Sequence, residues 1–342
     1  MKRLDPPQYL VLRIFVVLSI FGFALCGGSR AIAQLSSAAI NGTVRDASGA
    51  VIAGADLTLR NTSTGVERQT ATNSTGNYAF VDITPGSYTL QVIKTGFAKA
   101  QQNAVVLTVN QTAEFDFTLT VGSQVQRVTV TSAAAQLKTT TSNLGTVFNR
   151  VSVNDLPLNG RNFTQLLTLA PGSSPQNDSQ TGDHSIRTGV TAFPAVNGQG
   201  NRSNLFLLDG VNDEQAFSGY AVPPIVDDIQ EFKMQSHNDQ SQFGGVLGGI
   251  VNVVTKSGTD QYHGDVWEFL RNDALDARDP FLPKKTPLKQ NVYGATIGGP
   301  VIFPYYDGRR HHTFFFGAYE GTSINSAVSD PDPLHSRLSN GG

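Results

Sequence analysis

Side chains that could do acid–base or metal chemistry are scattered along this sequence. Five of the six histidines are His184, His237, His263, His311 and His312, and neither an H-E-x-x-H nor a G-x-S-x-G motif occurs. The pair His311-His312 with Asp307 could bind a metal, but neighbouring strand residues point to opposite faces, which favours a polar loop. Calcium could be chelated by Asp209, Asp213, Glu214, Asp227 and Asp228, although solvated turn carboxylates are the usual case. The pattern predicts neither an enzyme nor a metal site.

Neither a cofactor nor a nucleic acid is predicted. The pairs Gly244-Gly245 and Gly248-Gly249 lack the lysine of a phosphate loop and the spacing of a dinucleotide-binding turn. The formal net charge is −2, from 25 Lys+Arg against 27 Asp+Glu, and no basic block occurs. A chain that neutralises a phosphate backbone needs a basic surface, so we exclude nucleic acid as a partner.

Composition favours turns and extended structure over helix bundles. Only 15% of the 342 residues are charged, while 34 glycines and 16 prolines supply many turn positions. Helix bundles and coiled coils are excluded, and the length suits two or three domains.

The first 33 residues are typical of a secretory signal. Lys2, Arg3 and Arg13 precede an apolar run over residues 14–26, and Ala31 and Ala33 offer small residues at the two cleavage positions. The alternative is a membrane anchor, but 13 apolar residues rise only ~20 Å as a helix, short of a ~30 Å hydrocarbon core. The mature chain would begin at Gln34 without cysteine, so it could hold neither a disulfide nor a cysteine-ligated metal.

Residues 34–120 are predicted to form a seven-stranded β-sandwich. Apolar and polar residues alternate, as in Ile40-Asn41-Gly42-Thr43-Val44, and turn signals recur every eight to twelve residues. The segment resembles the carboxypeptidase regulatory-like domain, a sandwich also grouped with carbohydrate-binding-like folds. The resemblance lies in residues 40–46, Gly49, Gly54-Ala55, residues 75–80 and 85–88, and Gly96-Phe97. It implies a fold and no catalytic function.

Residues 121–135 are predicted to be a polar linker. The β-branched residues in Arg127-Val128-Thr129-Val130-Thr131 could pair with the sheet edge of a partner by strand addition. From the residues alone, a last edge strand or a plain linker is an equal alternative.

Residues 136–255 are predicted to form a compact α+β unit. Phe163, Leu166, Leu167 and Ala170 follow the spacing of a helix face after Asn162. A buried strand is expected at 205–208, a short helix at 223–229, an alternating strand at 231–235 and a buried strand at 250–254.

Residues 256–342 contain aromatic-rich extended runs at 262–270, 292–302 and 313–319. Runs of about ten residues, split by polar loops, are typical of transmembrane β-strands. Aggregation-prone soluble strands are the alternative, since Phe314 to Phe316 place aromatic rings on both faces.

Taken together, residues 136–342 resemble the plug and the opening barrel strands of TonB-dependent outer-membrane transporters of the Oar-like branch. The matching plug residues lie at 156–163, 169–172, 197–198, 201–204, 208–211, 229–232, 243–245 and 248–258. The barrel matches lie at 263–264, 268–269, 271–272, 275–278, 298–300, 314–316 and 319–321.

The resemblance implies energised uptake of a substrate, such as an oligosaccharide or a peptide, across the outer membrane. The sandwich and the plug would lie on the periplasmic side, the strands against outer-membrane lipid. The segment Arg127 to Thr131 is similar to the box that a TonB-type periplasmic energising protein grips. The alternative function is an exported carbohydrate- or protein-binding module without transport, for which Tyr78 and Tyr88 are the candidate exposed rings.

The length departs from the family pattern. A barrel of about 22 strands takes well over 200 residues, whereas Lys256 to Gly342 are 87 residues, enough for about four strands. We therefore expect an N-terminal fragment with an incomplete barrel.

Overall fold

The computed structural model describes residues 37–122, 126–128, 145–156, 158, 161–174, 194–200, 203–214, 220–236, 246–278, 285 and 287–326. Within them the structure has a β-sandwich, an α+β unit and a three-stranded sheet, all inside one compact body that spans residues 35–342. Among the described residues, no helix has both the length and the apolar character that crossing a membrane requires.

The sandwich is built from eight strands and a ninth that follows them. They are β1 (Ala38–Asp46), β2 (Asp56–Asn61), β3 (Glu67–Ala71), β4 (Asn77–Ile83), β5 (Gly86–Ile93), β6 (Ala100–Leu107), β7 (Thr112–Glu114), β8 (Phe117–Leu119) and β9 (Gln126–Val128). One sheet has the order β4-β1-β7 with β8 also on β1, and the other has the order β3-β2-β5-β6-β9. The alternating residues of β1 and β5 fill the core between the sheets, as predicted.

The predicted count of seven strands was wrong because the last strand of the sandwich is interrupted. β7 and β8 both pair in parallel with β1, on either side of Phe115 and Asp116. The Asp116 carboxylate accepts hydrogen bonds from the Thr43 backbone N–H at 2.7 Å and from its hydroxyl at 2.8 Å. A side chain therefore replaces a ladder bond at this point and divides one strand into two.

The α+β unit contains a five-stranded sheet with short helices. Its elements are β10 (Gly145–Asn149), α1 (Arg150–Asp155), a 3₁₀ helix (Phe163–Leu169), β11 (Ser173–Ser174), β12 (Ala195–Val196), β13 (Leu205–Leu208), β14 (Val211–Asn212), a 3₁₀ helix (Val226–Asp228), β15 (Ile229–Gln235) and β16 (Ile250–Thr255). The sheet order is β10-β15-β16-β13-β14, with β13 parallel to β16. Both predicted helices are present, but as 3₁₀ turns, the first with Asn162 as its N-cap.

Strand β15 is covered on both faces. Phe232 stacks on Phe148 with ring centroids 4.7 Å apart and meets Phe163 edge-on, within the core of the unit. The predicted alternation is present in the sequence, yet the polar residues of β15 are buried as well, apart from Gln230. The sandwich covers this second face, as described below.

The third sheet has the strand order β17-β18-β21 and is antiparallel throughout. The elements are β17 (Val266–Asn272), β18 (Leu288–Pro300), β19 (Ile302–Phe303), β20 (Tyr306–Asp307), α2 (Gly308–His311) and β21 (Phe314–Ser326). The described residues after Lys256 thus contain three long strands and one short hairpin, where about four strands were expected.

The two faces of this sheet differ in chemistry. From Gln290 to Gly298, every second residue of β18 is buried against the molecule, while the residues between them are not. The exposed face is mainly apolar and carries Val266, Leu270, Tyr293, Ile297, Phe315 and Tyr319. Glu268 interrupts it and accepts a hydrogen bond from Asn291 at 3.1 Å.

Candidate functional site at the junction of the α+β unit and the third sheet

Arg161 lies in a tight turn of the α+β unit. Its backbone is left-handed, with φ of 55°, and its N–H lies 3.4 Å from the carbonyl oxygen of Leu158. The next residue, Asn162, caps the 3₁₀ helix by accepting bonds from the backbone N–H and the hydroxyl of Thr164 at 3.0 and 2.7 Å. The turn and the cap fix the direction in which the Arg161 side chain extends.

The Arg161 guanidinium contacts both the α+β unit and the third sheet. It is paired with the carboxylate of Asp227 in the second 3₁₀ helix, and its Nε lies 3.8 Å from Oε2 of Glu320 on β21. Its central carbon lies 4.3 Å from the ring centroid of Phe269 and 5.9 Å from that of Trp267, both on β17. We call Arg161, Asp227, Trp267, Phe269 and Glu320 the Arg161 cluster.

The charged side chains of the Arg161 cluster are largely shielded from water, whereas Phe269 is 46% exposed. The side chains of Arg161, Asp227 and Glu320 are only 14%, 17% and 20% exposed. Charges at such depth are tolerated only when they are paired, and a planar guanidinium can pair with carboxylates while it stacks on aromatic rings. The arrangement can therefore hold the α+β unit against one face of the sheet at a defined point.

The contact between the α+β unit and the third sheet at the Arg161 cluster covers a small area. A cavity of about 550 Å³ lies beside it, bordered by α1 and by Leu158, Arg161, Val226 and Phe269. Because packing beside the cluster is incomplete, its charged and aromatic contacts carry much of the attachment at this point.

Lys256 and Asp228 support the Asp227 turn from the other side. The Lys256 ammonium donates a hydrogen bond to the backbone oxygen of Asp227, and the Lys256 backbone N–H donates to Asp228 at 2.7 Å. Burial, with a smaller effect from the charge of Asp209, raises the pKa of Asp228 to about 6. Burial, followed by the charge of Arg150, lowers the pKa of Lys256.

Two of the acidic residues considered as calcium ligands accept hydrogen bonds from other residues of the α+β unit. Asp209 accepts hydrogen bonds from the backbone N–H and the hydroxyl of Thr255 at 2.9 and 2.8 Å, and Asp213 accepts one from Val222 N–H at 2.9 Å. Asp307 likewise caps Arg309, while His311 stacks on Tyr306. The described part of the chain brings together no group of three or more His, Cys, Asp or Glu residues that could hold a metal ion.

The predicted partner-binding segment is described only in part. Arg127 and Val128 lie on β9, which pairs in parallel with β6 of the sandwich, opposite Gln101 and Gln102. This pairing corresponds to the edge-strand alternative. Thr129, Val130 and Thr131 lie outside the described residues, as do Ala31 and Ala33 of the predicted signal. The partner-binding role and the cleavage site stay predictions.

The two tyrosines considered as sugar platforms are core residues. Tyr78 is 4% and Tyr88 is 6% exposed, and their hydroxyls donate hydrogen bonds to the backbone oxygens of Phe115 and Thr84 at 2.7 and 2.6 Å. Burial raises the pKa of both phenols. Neither ring is free to stack on a sugar, so the suggestion of partly exposed platforms was wrong.

Two family models match the chain. Residues 254–332 match the outer membrane beta barrel domain, and residues 39–120 match the carboxypeptidase regulatory-like domain. These matches define the class: a mainly β outer-membrane protein in which a regulatory-like sandwich precedes a barrel domain.

The more particular likeness is to TonB-dependent transporters. The chain is 29% identical over 294 residues to the TonB-dependent transporter Oar of Myxococcus xanthus. The aligned region covers 80% of this chain and 26% of that protein. This match confirms the resemblance drawn from the sequence, and the relative is a transporter rather than an enzyme. The chain spans about a quarter of the length of this curated relative.

Solved structures give weaker likenesses. The siderophore receptor PirA from Acinetobacter baumannii has a TM-score of 0.36 and 21% identity, covering 46% of this chain and 22% of that chain. A type II cohesin–X-dockerin complex from Acetivibrio cellulolyticus has a TM-score of 0.21 and 17% identity, covering 25% and 60% of the two chains. Both TM-scores are below 0.5.

Proposed function

We propose that the chain acts in a TonB-dependent outer-membrane receptor that takes up its substrate with energy supplied from the periplasmic side. In this proposal residues 136–255 are the plug, residues 256–342 contain barrel strands, residues 34–120 are the periplasmic sandwich and residues 121–135 link sandwich to plug. The observation that carries the proposal is the Arg161 cluster, which fastens the α+β unit to one face of a sheet whose other face is apolar.

The two faces of the third sheet support a position at the barrel wall. Strands of an outer-membrane barrel alternate between lipid and lumen, so one face must be apolar and the other must meet the contents of the barrel. Here Ile297 and Tyr319 are exposed on the apolar face, while Thr296 is buried on the opposite face, where Glu320 meets Arg161 of the α+β unit. A globular unit at the inner face is what closes a barrel wide enough to hold water.

The contacts of the sandwich support its place at one end of the barrel strands. The Ser63 carbonyl accepts a hydrogen bond from Asp260 N–H at 3.0 Å, and the Asp260 carbonyl accepts one from Arg309 Nε at 3.0 Å. The sandwich therefore lies at the end where β18 connects to β21. We propose that this end faces the periplasm and that the segment from Arg127 to Thr131 pairs there with the energising protein.

The substrate in this proposal is an oligosaccharide or a peptide bound outside the plug. The alternative is an exported carbohydrate- or protein-binding module without transport. Its carbohydrate-binding form depended on rings exposed on the sandwich, and the burial of Tyr78 and Tyr88 removes the two candidates.

Site-specific photocrosslinking in the producing cells tests the proposal. A photoreactive phenylalanine at Val130 is expected to crosslink the periplasmic energising protein, with the chain recovered in the outer-membrane fraction. The same probe at Val106, which is exposed on β6, is the matched control and should give no such product. Recovery as a soluble periplasmic protein, or equal crosslinking at both positions, would overturn the proposal.

A further inference from the structure

Two charged side chains of β15 are buried where the α+β unit meets the sandwich. Glu231 is 7% exposed and Lys233 is 4% exposed. Residues two apart on a strand point to the same face, so the carboxylate and the ammonium lie side by side. Buried charges demand partners, and the sandwich supplies them.

Both side chains hold the same turn of the sandwich, residues 108–111. The Glu231 carboxylate accepts a hydrogen bond from the Val109 backbone N–H, and the Lys233 ammonium donates one to the Asn110 backbone oxygen at 3.0 Å. An acceptor-only carboxylate and a donor-only ammonium thus meet a backbone donor and a backbone acceptor of two adjacent residues. We call these four residues the β15 clasp.

The turn is already shaped for this contact. The Gln111 side-chain oxygen accepts hydrogen bonds from the backbone N–H and the hydroxyl of Thr108 at 2.8 and 2.9 Å, and Asn110 has φ of 51°. Val109 is completely buried. Because the turn is ordered by its own bonds, little further ordering accompanies its docking on β15.

The Arg161 cluster adjoins the start of β15. The strand begins at Ile229, directly after the 3₁₀ helix in which Asp227 binds Arg161. Asp227 and Glu231 are therefore four residues apart along one continuous segment. One short continuous segment thus carries both the Asp227–Arg161 pair and the bonds to the turn of the sandwich.

We propose that the sandwich controls the attachment of the α+β unit to the barrel strands: the β15 clasp couples the position of the sandwich to the Arg161 cluster. Drawing the sandwich away removes the Val109 and Asn110 partners of two buried charges on β15 and displaces the Asp227 turn, which weakens the hold on Glu320 and Phe269. Coupling of this kind requires that both contacts are made by an element that moves as one piece, and it is reciprocal. The role of this coupling in uptake rests on the proposed function, whereas the coupling itself does not.

Amide hydrogen exchange of the full chain in outer-membrane vesicles tests the coupling. Lys233→Met is expected to raise exchange about tenfold at residues 226–228 and in the Arg161 turn, while β2 and β5 of the sandwich stay protected. The matched control is Lys94→Met, because Lys94 makes the same kind of bond to the backbone oxygens of Ala53 and Gly54 in an exposed turn. The control should change neither region.

A second variant keeps the test decisive if Lys233→Met destabilises the whole chain. Arg161→Met is expected to raise exchange at Val109 and Asn110, since the coupling must act in both directions. Two results would overturn the proposal. One is that Lys233→Met raises exchange only within residues 108–111. The other is that Arg161→Met raises no exchange at Val109 and Asn110. Hydrogen exchange requires neither the partner protein nor transport, so a negative exchange result would not contradict the proposed function. A negative crosslinking result at Val130 would likewise not contradict the coupling.

Discussion

The guanidinium carbon of Arg161 lies 4.3 Å from the centre of the Phe269 ring, although the residues are more than a hundred positions apart and belong to different structural units. The same guanidinium pairs with Asp227 inside its own unit. One side chain therefore connects the α+β unit to the first strand of the third sheet. This connection gives the α+β unit a defined position against the sheet.

Replacing Arg161 by methionine should weaken that position strongly. The change leaves the carboxylates of Asp227 and Glu320 shielded from water without their cation, and removing one partner of a buried pair costs about 3 kcal/mol or more. Thermal unfolding and amide exchange of residues 161–169 would measure the effect. Arg271→Met is the control, because Arg271 pairs with Asp276 at 3.4 Å near the surface, where such pairs contribute at most about 1 kcal/mol.

The β15 clasp predicts a specific pH dependence. Burial raises the pKa of Glu231 from 4.5 to about 7, although the Val109 N–H bond and the Lys233 charge act in the opposite direction. At pH values between 4.5 and about 7, the folded chain binds more protons at Glu231 than the unfolded chain does. The free energy of unfolding should therefore fall as the pH rises from about 4.5 to about 7.

Glu231→Gln isolates this contribution, because the amide cannot titrate and its oxygen can still accept the Val109 bond. Unfolding of the variant should depend less on pH across this range than unfolding of the parent chain. Glu67→Gln, which alters an exposed carboxylate paired with Arg60, should keep the parent dependence. Identical pH profiles for Glu231→Gln and the parent would refute the assignment.

Gly42→Ala should prevent the sandwich from closing. A Cβ at Gly42 would lie 1.8 Å from the Phe115 carbonyl oxygen and 2.7 Å from its carbon, both backbone atoms at the break between β7 and β8. We expect a destabilisation of more than about 3 kcal/mol, seen as loss of the folded sandwich in limited proteolysis. Gly200→Ala, where a Cβ meets nothing within 4 Å, should be tolerated.

A charge on the apolar face of the third sheet should impair membrane assembly according to its depth. Ile297→Arg lies in the middle of the apolar band and should cost about 2–4 kcal/mol, whereas Asn325→Arg, on the same face beside Lys289, should cost about 0–1 kcal/mol. The yield of urea-resistant protein in the outer-membrane fraction measures the difference. Equal yields for both variants would contradict a lipid-facing surface.

Elements dominated by local pattern were predictable from the sequence. The buried strands at Leu205–Leu208 and Ile250–Thr255 follow from apolar runs beside turn residues, and most sandwich strands follow from alternation. The division between β7 and β8 was missed because it depends on Asp116 bonding to Thr43, 73 positions away. The helices near Phe163 and Val226 were placed correctly but not as 3₁₀ turns.

The candidate site could not be assembled from local pattern. Asp227 was interpreted as a turn carboxylate, and Arg161 and Glu320 entered only as parts of family motifs. Their meeting depends on how the α+β unit packs on β17 and β21, which periodicity does not describe. Glu320 is an ionisable residue on an aromatic-rich strand, which is a signal for a partner on the inner face. Glu268 has the same signal but lies on the exposed apolar face, so the pattern alone does not identify the site.

The claim that the α+β unit fills the inner side of membrane-spanning strands is tested most directly by spin-label accessibility in outer membranes. Labels placed singly at Ile297 and Tyr319 should collide with lipid-dissolved oxygen. Labels at Thr296 and Ala318 should be shielded from oxygen and from a water-soluble nickel relaxant alike. Free access of the nickel reagent to all four positions would contradict the account.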